Sequence, residues 1–292
     1  MNTVRSDRLS LSNPEKLLFP EAGITKLDYI SALIDLAPYL LPYTSDRILT
    51  AIRYPHGVHE PSFYQKHLPQ KTPDWVETIE RDGEVFINLN RADTLAWLGN
   101  LAVLEFHTPF CTAQEGMLRA LVFDLDPSEG QTFADAAECA LLVYDTLQSL
   151  GISSLVKTSG ASGLQIYIPT APKSFEQGRR INEFFAQYFA AKYPEKITIE
   201  RLVKNRGKKL YFDYLQMGPG KSIITPYSPR AVSCAAVAMP VEWGELKAGL
   251  TPCDFTLHTA IERLKQKGDL FTPILEGKRN DPLEEMIRQA GL

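Results

Sequence analysis

Three aspartates carry the strongest chemical signal in this 292-residue chain. Asp124 and Asp126 lie in Leu121-Val122-Phe123-Asp124-Leu125-Asp126-Pro127, and Asp213 lies in Leu210-Tyr211-Phe212-Asp213-Tyr214-Leu215-Gln216. In a strand, residues two apart share a face. Asp124 and Asp126 therefore project together while Leu125 turns into a core. A third carboxylate from a neighbouring strand would complete an all-oxygen cage, which suits Mg²⁺ or Mn²⁺ rather than zinc or copper. Two such ions on shared carboxylates are the usual machinery of phosphoryl and nucleotidyl transfer. Alone, Asp-x-Asp is a frequent pattern, and Asp126-Pro127-Ser128 reads equally well as a turn before a helix. What favours chemistry is the apolar run before Asp124, the similar aromatic-aliphatic run around Asp213, and the Ser/Gly loop between them.

That loop is Lys157-Thr158-Ser159-Gly160-Ala161-Ser162-Gly163-Leu164-Gln165. Glycines let a backbone approach a ligand, and exposed N–H groups there can cradle phosphate. A plain hairpin turn explains the same residues, and the loop is neither a Rossmann nor a Walker fingerprint. Gln165 is expected to point with the carboxylates if its strand lies beside theirs. Arg201, Lys204, Arg206, Lys208 and Lys209 form an acid-free basic run leading into the Asp213 strand. A solvated surface is the ordinary reading of such a run. Next to carboxylates that handle an anionic substrate, it can also supply counter-charge.

The elements that must position these groups follow from local patterns. Thr25-Lys26-Leu27-Asp28 has the form of a capping box opening a helix towards Tyr43, with apolar residues at helical spacing. A strand is expected near Ile48 to Tyr54, loops with short strands over Pro55 to Trp75, and a strand over Glu84 to Asn88. A helix is expected from Ala92 to Phe106, and another from Thr132 to Leu150 after the Asp124 strand. Strands near Ser154 to Thr158 and Leu164 to Ile168 flank the Ser/Gly turn, and a helix over Ser174 to Tyr193 precedes the basic run. Two helices, near Asp254 to Gln266 and Pro282 to Ala290, fall in a Pro-rich tail. Mixed strands and helices imply a mixed α/β layering around at least one sheet.

Composition excludes several classes. A chain that is 44% hydrophobic and 23% charged is not disordered. No apolar run approaches 18 residues, so no membrane partner is expected, and Met1 to Asp7 lacks the apolar stretch of a signal peptide. Cys111, Cys139, Cys234 and Cys253 are scattered without a Cys-x-x-Cys pair, which argues against a zinc ribbon and fits a reducing cytoplasm. The net charge of −4 does not advertise a nucleic-acid binder, but the distribution of charge matters more than its sum.

Phe-Asp-Leu-Asp-Pro-Ser resembles the nucleophile strand of haloacid-dehalogenase-type phosphatases, but a proline and Ser128 stand where that family needs Thr or Val, and the late acid pair is missing. The chain as a whole resembles the polymerase domain of bacterial ligase D, of the archaeo-eukaryotic primase superfamily. The resemblance runs through Leu11-Ser12-Asn13-Pro14-Glu15-Lys16, Gly23-Ile24-Thr25-Lys26, Arg53-Tyr54-Pro55-His56-Gly57, Phe63-Tyr64-Gln65-Lys66, Glu105-Phe106-His107, Phe123-Asp124-Leu125-Asp126-Pro127, Phe212-Asp213-Tyr214-Leu215-Gln216 and Pro226-Tyr227-Ser228-Pro229-Arg230.

The resemblance implies a primase-polymerase fold: central sheets flanked by helices, one sheet carrying the metal site. It implies one domain over residues 1–292, with an N-terminal DNA-end-binding part (1–115) and a catalytic part (116–292). Asp124, Asp126 and Asp213 would be the catalytic residues holding two Mn²⁺ or Mg²⁺ ions. Ser159, Gly160, Ser162, Gly163, Gln165, Arg206, Gln216 and Arg230 would surround the incoming NTP or dNTP. Lys16 and Lys26 would bind the 5′-phosphate on the downstream side of a gap or break, with Asn13 also among the DNA-binding residues; Phe63 and Tyr64 would stack on template bases; Arg53 and Lys66 would line the nucleic-acid path. His107 serves equally well as a core histidine. The implied activity is template-directed filling of short gaps at broken DNA ends in non-homologous end joining, with ribonucleotides favoured, Ku and an ATP-dependent DNA ligase as partners, and a cytoplasmic, nucleoid-associated location. A primase starting chains de novo and a weakly catalytic end-bridging module are the alternatives. The chain departs from the family pattern in the loop, where Ser162 and Gln165 replace the usual lysine and histidine.

Overall fold

The computed structural model describes residues 9–292; the stretch Met1 to Asp7 read above for a leader lies outside them. The chain divides into two compact units. The first comprises residues 9–115 with Ser222–Ala238 and Cys253–Gly268; the second comprises Gly116–Lys221, Met239–Pro252 and Asp269–Leu292.

The second unit is built on a six-stranded sheet. Its strands, from one edge to the other, are Ile197–Thr198, Leu210–Asp213, Leu118–Asp126, Leu164–Lys173, Leu155–Thr158 and Pro240–Val241. The first pair is parallel and the rest are antiparallel. Its core begins with the residues that alternate with the aspartates. Phe123 and Phe212 pack at 5.0 Å between ring centroids, and Phe185 and Phe189 of the helix Phe175–Lys192 close over them. All four rings are almost fully buried. Burying one such side chain is worth roughly 2–3 kcal/mol, so the cluster fixes the two aspartate strands side by side. Ser174 caps that helix in a reciprocal capping box with Gln177.

The first unit holds a four-stranded antiparallel sheet in the order Ile223–Ile224, Val103–Thr108, Thr50–Arg53, Phe63–Gln65. The helix Lys26–Thr44 opens at the expected capping box, where Thr25 and Asp28 cap each other. The helix expected over Ala92 to Phe106 ends at Asn100 instead, and Val103–Thr108 is a strand. Ala102 takes a positive φ of 57°, which reverses the chain, and the next residues carry the β-branched and aromatic character of a strand. Cys111 and Cys139 are buried free thiols, but Cys234 and Cys253 form a disulfide, a correction to the expectation of thiols kept reduced. Their spacing of 19 residues gave no sign of it; pairing of Ala236 with Thr256 and the Val237–Phe255 hydrogen bond bring them together.

Candidate active site

The sheet register aligns the chemistry. Asp213 lies directly across from Asp124, Asp124 from Gln165, and Gln165 from Lys157. Directly opposed residues share a face, so a row Asp213–Asp124–Gln165–Lys157 crosses four strands. Asp126, two residues beyond Asp124, shares that face and stands opposite Tyr211. Gln165 therefore points with the carboxylates, as its strand position led us to expect.

Asp124 is 8% exposed. Burial first, and then the charges of Asp126 and Asp213, push its carboxyl up from 3.8 to about 8; the Gln165 amide and the Lys157 ammonium oppose the rise. Gln165 Nε2 donates to Asp124 Oδ1 at 3.1 Å, and Gln165 Oε1 is buried without a partner. Asp213 Oδ1 accepts from the Leu215 N–H at 3.0 Å and the Tyr211 O–H at 3.2 Å. The donor set fits a hard divalent cation: three carboxylates and an orphaned amide oxygen, with Asp124 disfavoured as an anion until positive charge arrives. Among the described residues, no cluster of three His, Cys, Asp or Glu side chains is already drawn tightly enough to enclose an ion. Asp213 in particular is held by its own turn.

The Ser/Gly loop is shaped to this carboxylate face. Ser159 Oγ accepts from the N–H groups of Ala161 (3.2 Å) and Gly163 (3.1 Å), and Gly160 takes a φ of +75°. A Cβ on Gly163 would sit 3.0 Å from Leu125 O and 3.2 Å from Asp126 Oδ1, so glycine is needed there for close approach. Ser162 is exposed. Arg206 lies over the Tyr211 ring at 3.6 Å and donates to Glu200 O and Arg201 O. Arg206, Tyr211 and Asp213 are thereby linked. An open depression of about 770 Å³ beside the basic run is lined by Thr198, Ile199, Glu200, Arg201, Leu202 and Tyr214. Gln216 is half-buried on the turn after Asp213.

The remaining expected site residues fall in the first unit. Lys26 is buried and donates to Ser12 O (2.7 Å) and Asn100 O (3.1 Å), while Lys16 donates to Pro55 O. Burial and then the nearby Lys16 charge hold the Lys26 ammonium below its ordinary pKa. Asn13 is exposed at a positive φ of 49° in the turn that precedes Lys16. Phe63 and Tyr64 stand exposed on an edge strand, Tyr64 at 73%; Arg53 lies over Phe63 at 5.0 Å, and Lys66 is exposed beside them. Arg230 pairs with the buried Glu105 at 3.2 Å, and the His107 ring meets the same carboxylate oxygen at 2.8 Å. Sequence reasoning assigned no role to Lys157, Tyr211 or Glu105. The strand alternation around Lys157 and Tyr211 put them on the Asp124 face, and that was the signal available.

A carboxylate face on a mixed sheet, a Ser/Gly turn against it and a basic run beside it define a metal-dependent nucleotidyltransferase of the primase-polymerase type. The LigD primase-polymerase domain family matches residues 25–271, and the chain belongs to it. It is 39% identical over 284 residues to the bifunctional non-homologous end joining protein LigD of Bacillus subtilis (97% of this chain, 46% of that protein). It is 31% identical over 278 residues to the multifunctional LigD of Mycolicibacterium smegmatis (92% and 36%). The chain thus spans less than half the length of these relatives. The solved polymerase domain of Mycobacterium tuberculosis ligase D, in complex with DNA, superposes with a TM-score of 0.83 at 31% identity, covering 92% of this chain and 98% of that one.

Proposed function

We propose that this chain fills short gaps at broken DNA ends during non-homologous end joining, as a template-directed nucleotidyltransferase favouring ribonucleotides and Mn²⁺. Support comes first from the row of aspartates, in which Asp124 faces Asp213 on one sheet and is too buried to stay ionised at neutral pH without added positive charge. Asp124, Asp126 and Asp213 would hold two divalent ions, which lower the pKa of a primer 3′-hydroxyl and neutralise charge on the departing pyrophosphate.

The protein's own groups handle the rest. The Gly160 and Ser162 N–H groups of the turn and the fork of Arg206 bind triphosphate oxygens, and Arg230 is assigned a nucleotide contact of its own; arginine suits this because its planar charge is permanent. For Arg206 this means giving up its backbone acceptors. Gln216 meets the nucleotide from the turn after Asp213, and the Gln165 amide holds one Asp124 oxygen. Lys16 and Lys26, whose charges repel each other, gain from an anion placed between them; a 5′-phosphate beside Asn13 is that anion. Phe63 and Tyr64 offer stacking faces to unpaired bases, with Arg53 and Lys66 along the backbone. We assign residues 1–292 to one primase-polymerase domain, with end binding in the N-terminal part and catalysis in the remainder. Ku and an ATP-dependent DNA ligase are the partners this role needs, in a cytoplasmic, nucleoid-associated setting. No helix among the described residues is long and apolar enough to cross a membrane.

One assay tests the reading: a gapped, 5′-phosphorylated duplex and a bare single strand, each with labelled nucleotides and Mn²⁺. Gap extension supports it. Synthesis on the bare strand alone would instead favour a primase, and tight binding without synthesis an end-bridging module.

A further inference from the structure

The Glu105-Phe106-His107 segment lies outside the proposed catalytic steps. Glu105 is 4% exposed, and Arg230, His107 and the Ala231 N–H converge on its carboxylate. Arg230 Nη1 lies 3.2 Å from Oε2, His107 Nε2 lies 2.8 Å from the same oxygen, and the Ala231 N–H donates to Oε1 at 3.2 Å. Burial raises the Glu105 pKa, but the His107 contact, the Arg230 charge and the Ala231 N–H outweigh it, so the group stays below the ordinary carboxylate range. The partner segment is fixed too. Ser228 Oγ accepts from the Phe106 N–H at 2.9 Å, the Thr225 N–H reaches Phe106 O at 3.0 Å, and the Arg230 N–H reaches Ala236 O at 2.8 Å. Arg230 keeps 28% of its side chain exposed, and Glu105 is its only side-chain partner among the described residues.

We infer that Glu105 is the positioning residue of Arg230: it anchors one edge of the guanidinium in the sheet so that the other donors face an anionic substrate group. This rests on the nucleotide-binding reading of Arg230. A free arginine gives up its rotamer freedom when it is fixed. An arginine already held on a buried carboxylate has met that cost in folding, so preorganisation appears as tighter binding. Glu105 itself touches no substrate; its effect passes wholly through Arg230.

A double-mutant cycle on nucleotide KM and kcat, with the gapped duplex, Mn²⁺ and ATP, tests this below the melting point of each variant. Arg230→Ala is expected to raise KM about tenfold, the loss of a charge-assisted contact. Glu105→Gln keeps the shape and should raise KM severalfold with kcat within about twofold, because the anchor acts on binding. The double variant should match Arg230→Ala alone. An additive cycle would overturn the inference, as would a Glu105→Gln variant that melts earlier but keeps the wild-type KM, since Glu105 would then serve the fold only. If Glu105→Gln does not fold, Glu105→Asp, which retains charge but withdraws it by one methylene, should show the same KM rise; an unchanged KM there overturns the inference equally. Should Arg230→Ala itself leave KM unchanged, the nucleotide reading of Arg230 falls and takes this inference with it. A shifted Arg230→Ala with an unshifted Glu105 variant removes the inference alone.

Discussion

At Asp124, burial and two neighbouring carboxylates act in the same direction on a single proton. In chelator, the folded protein keeps this proton up to about pH 8, while the unfolded chain releases it near 3.8. A group whose folded pKa is raised contributes stability below its unfolded pKa and loses it as pH climbs through the folded value. The metal-free protein should therefore lose stability between about pH 4 and pH 8, and Asp124→Asn should flatten that decline. Melting temperatures of both proteins across the range are the check; parallel curves would mean that Asp124 is not the group concerned. The neighbouring glycine gives a second residue-scale expectation. Gly163→Ala forces a methyl group against Leu125 O and Asp126 Oδ1. Overpacking of this kind costs about 1–3 kcal/mol. Because the displaced atom belongs to a carboxylate proposed to hold the metal ions, extension should fall at least tenfold while DNA binding holds, as primer-extension and binding assays on one duplex would show.

Among the elements, legibility followed local chemistry. The helix opening at Thr25 was readable because its capping box is written within four residues; the helix at Ser174 carries the same box. The Asp124 and Asp213 strands were readable from alternation, which also told which residues share the Asp124 face. The end of the helix at Asn100 was not readable, since the reversal depends on a positive φ at Ala102 that no residue type announces. The hairpin of Thr78–Arg81 with Glu84–Ile87 was seen only in its second strand, because its first strand, Thr-Ile-Glu-Arg, is mostly polar and exposed. The disulfide was hidden for a different reason: it depends on tertiary pairing between segments that the sequence separates. It makes an element-scale prediction. Closing a loop of this size restricts the unfolded chain by about 3 kcal/mol. Cys253→Ser, or reduction of the wild type, should lower the melting temperature by similar amounts, and reductant should have no further effect on the mutant. A mutant as stable as the oxidised wild type would contradict the bond's stabilising role.

For the whole molecule, a formal net charge of −4 sits beside the nucleic-acid chemistry proposed for it. The two are compatible because cations are gathered locally: Lys16 with Lys26 in the first unit, and the run from Arg201 to Lys209 in the second. Affinity for DNA should therefore come from few phosphate contacts, with a correspondingly shallow salt slope. Removing the downstream 5′-phosphate from a gapped duplex should weaken binding at moderate salt, and Lys16→Ala with Lys26→Ala should abolish that difference. Equal affinities with and without the phosphate in the wild type would assign the lysines to the fold alone, consistent with their carbonyl contacts. On this reading the aspartate row performs chemistry and does not hold DNA. The most direct test compares Asp213→Ala with wild type on a gapped, 5′-phosphorylated duplex in Mn²⁺, measuring extension and DNA affinity in the same samples. We expect extension to vanish and affinity to stay within about twofold. Extension within about tenfold of wild type would contradict the account.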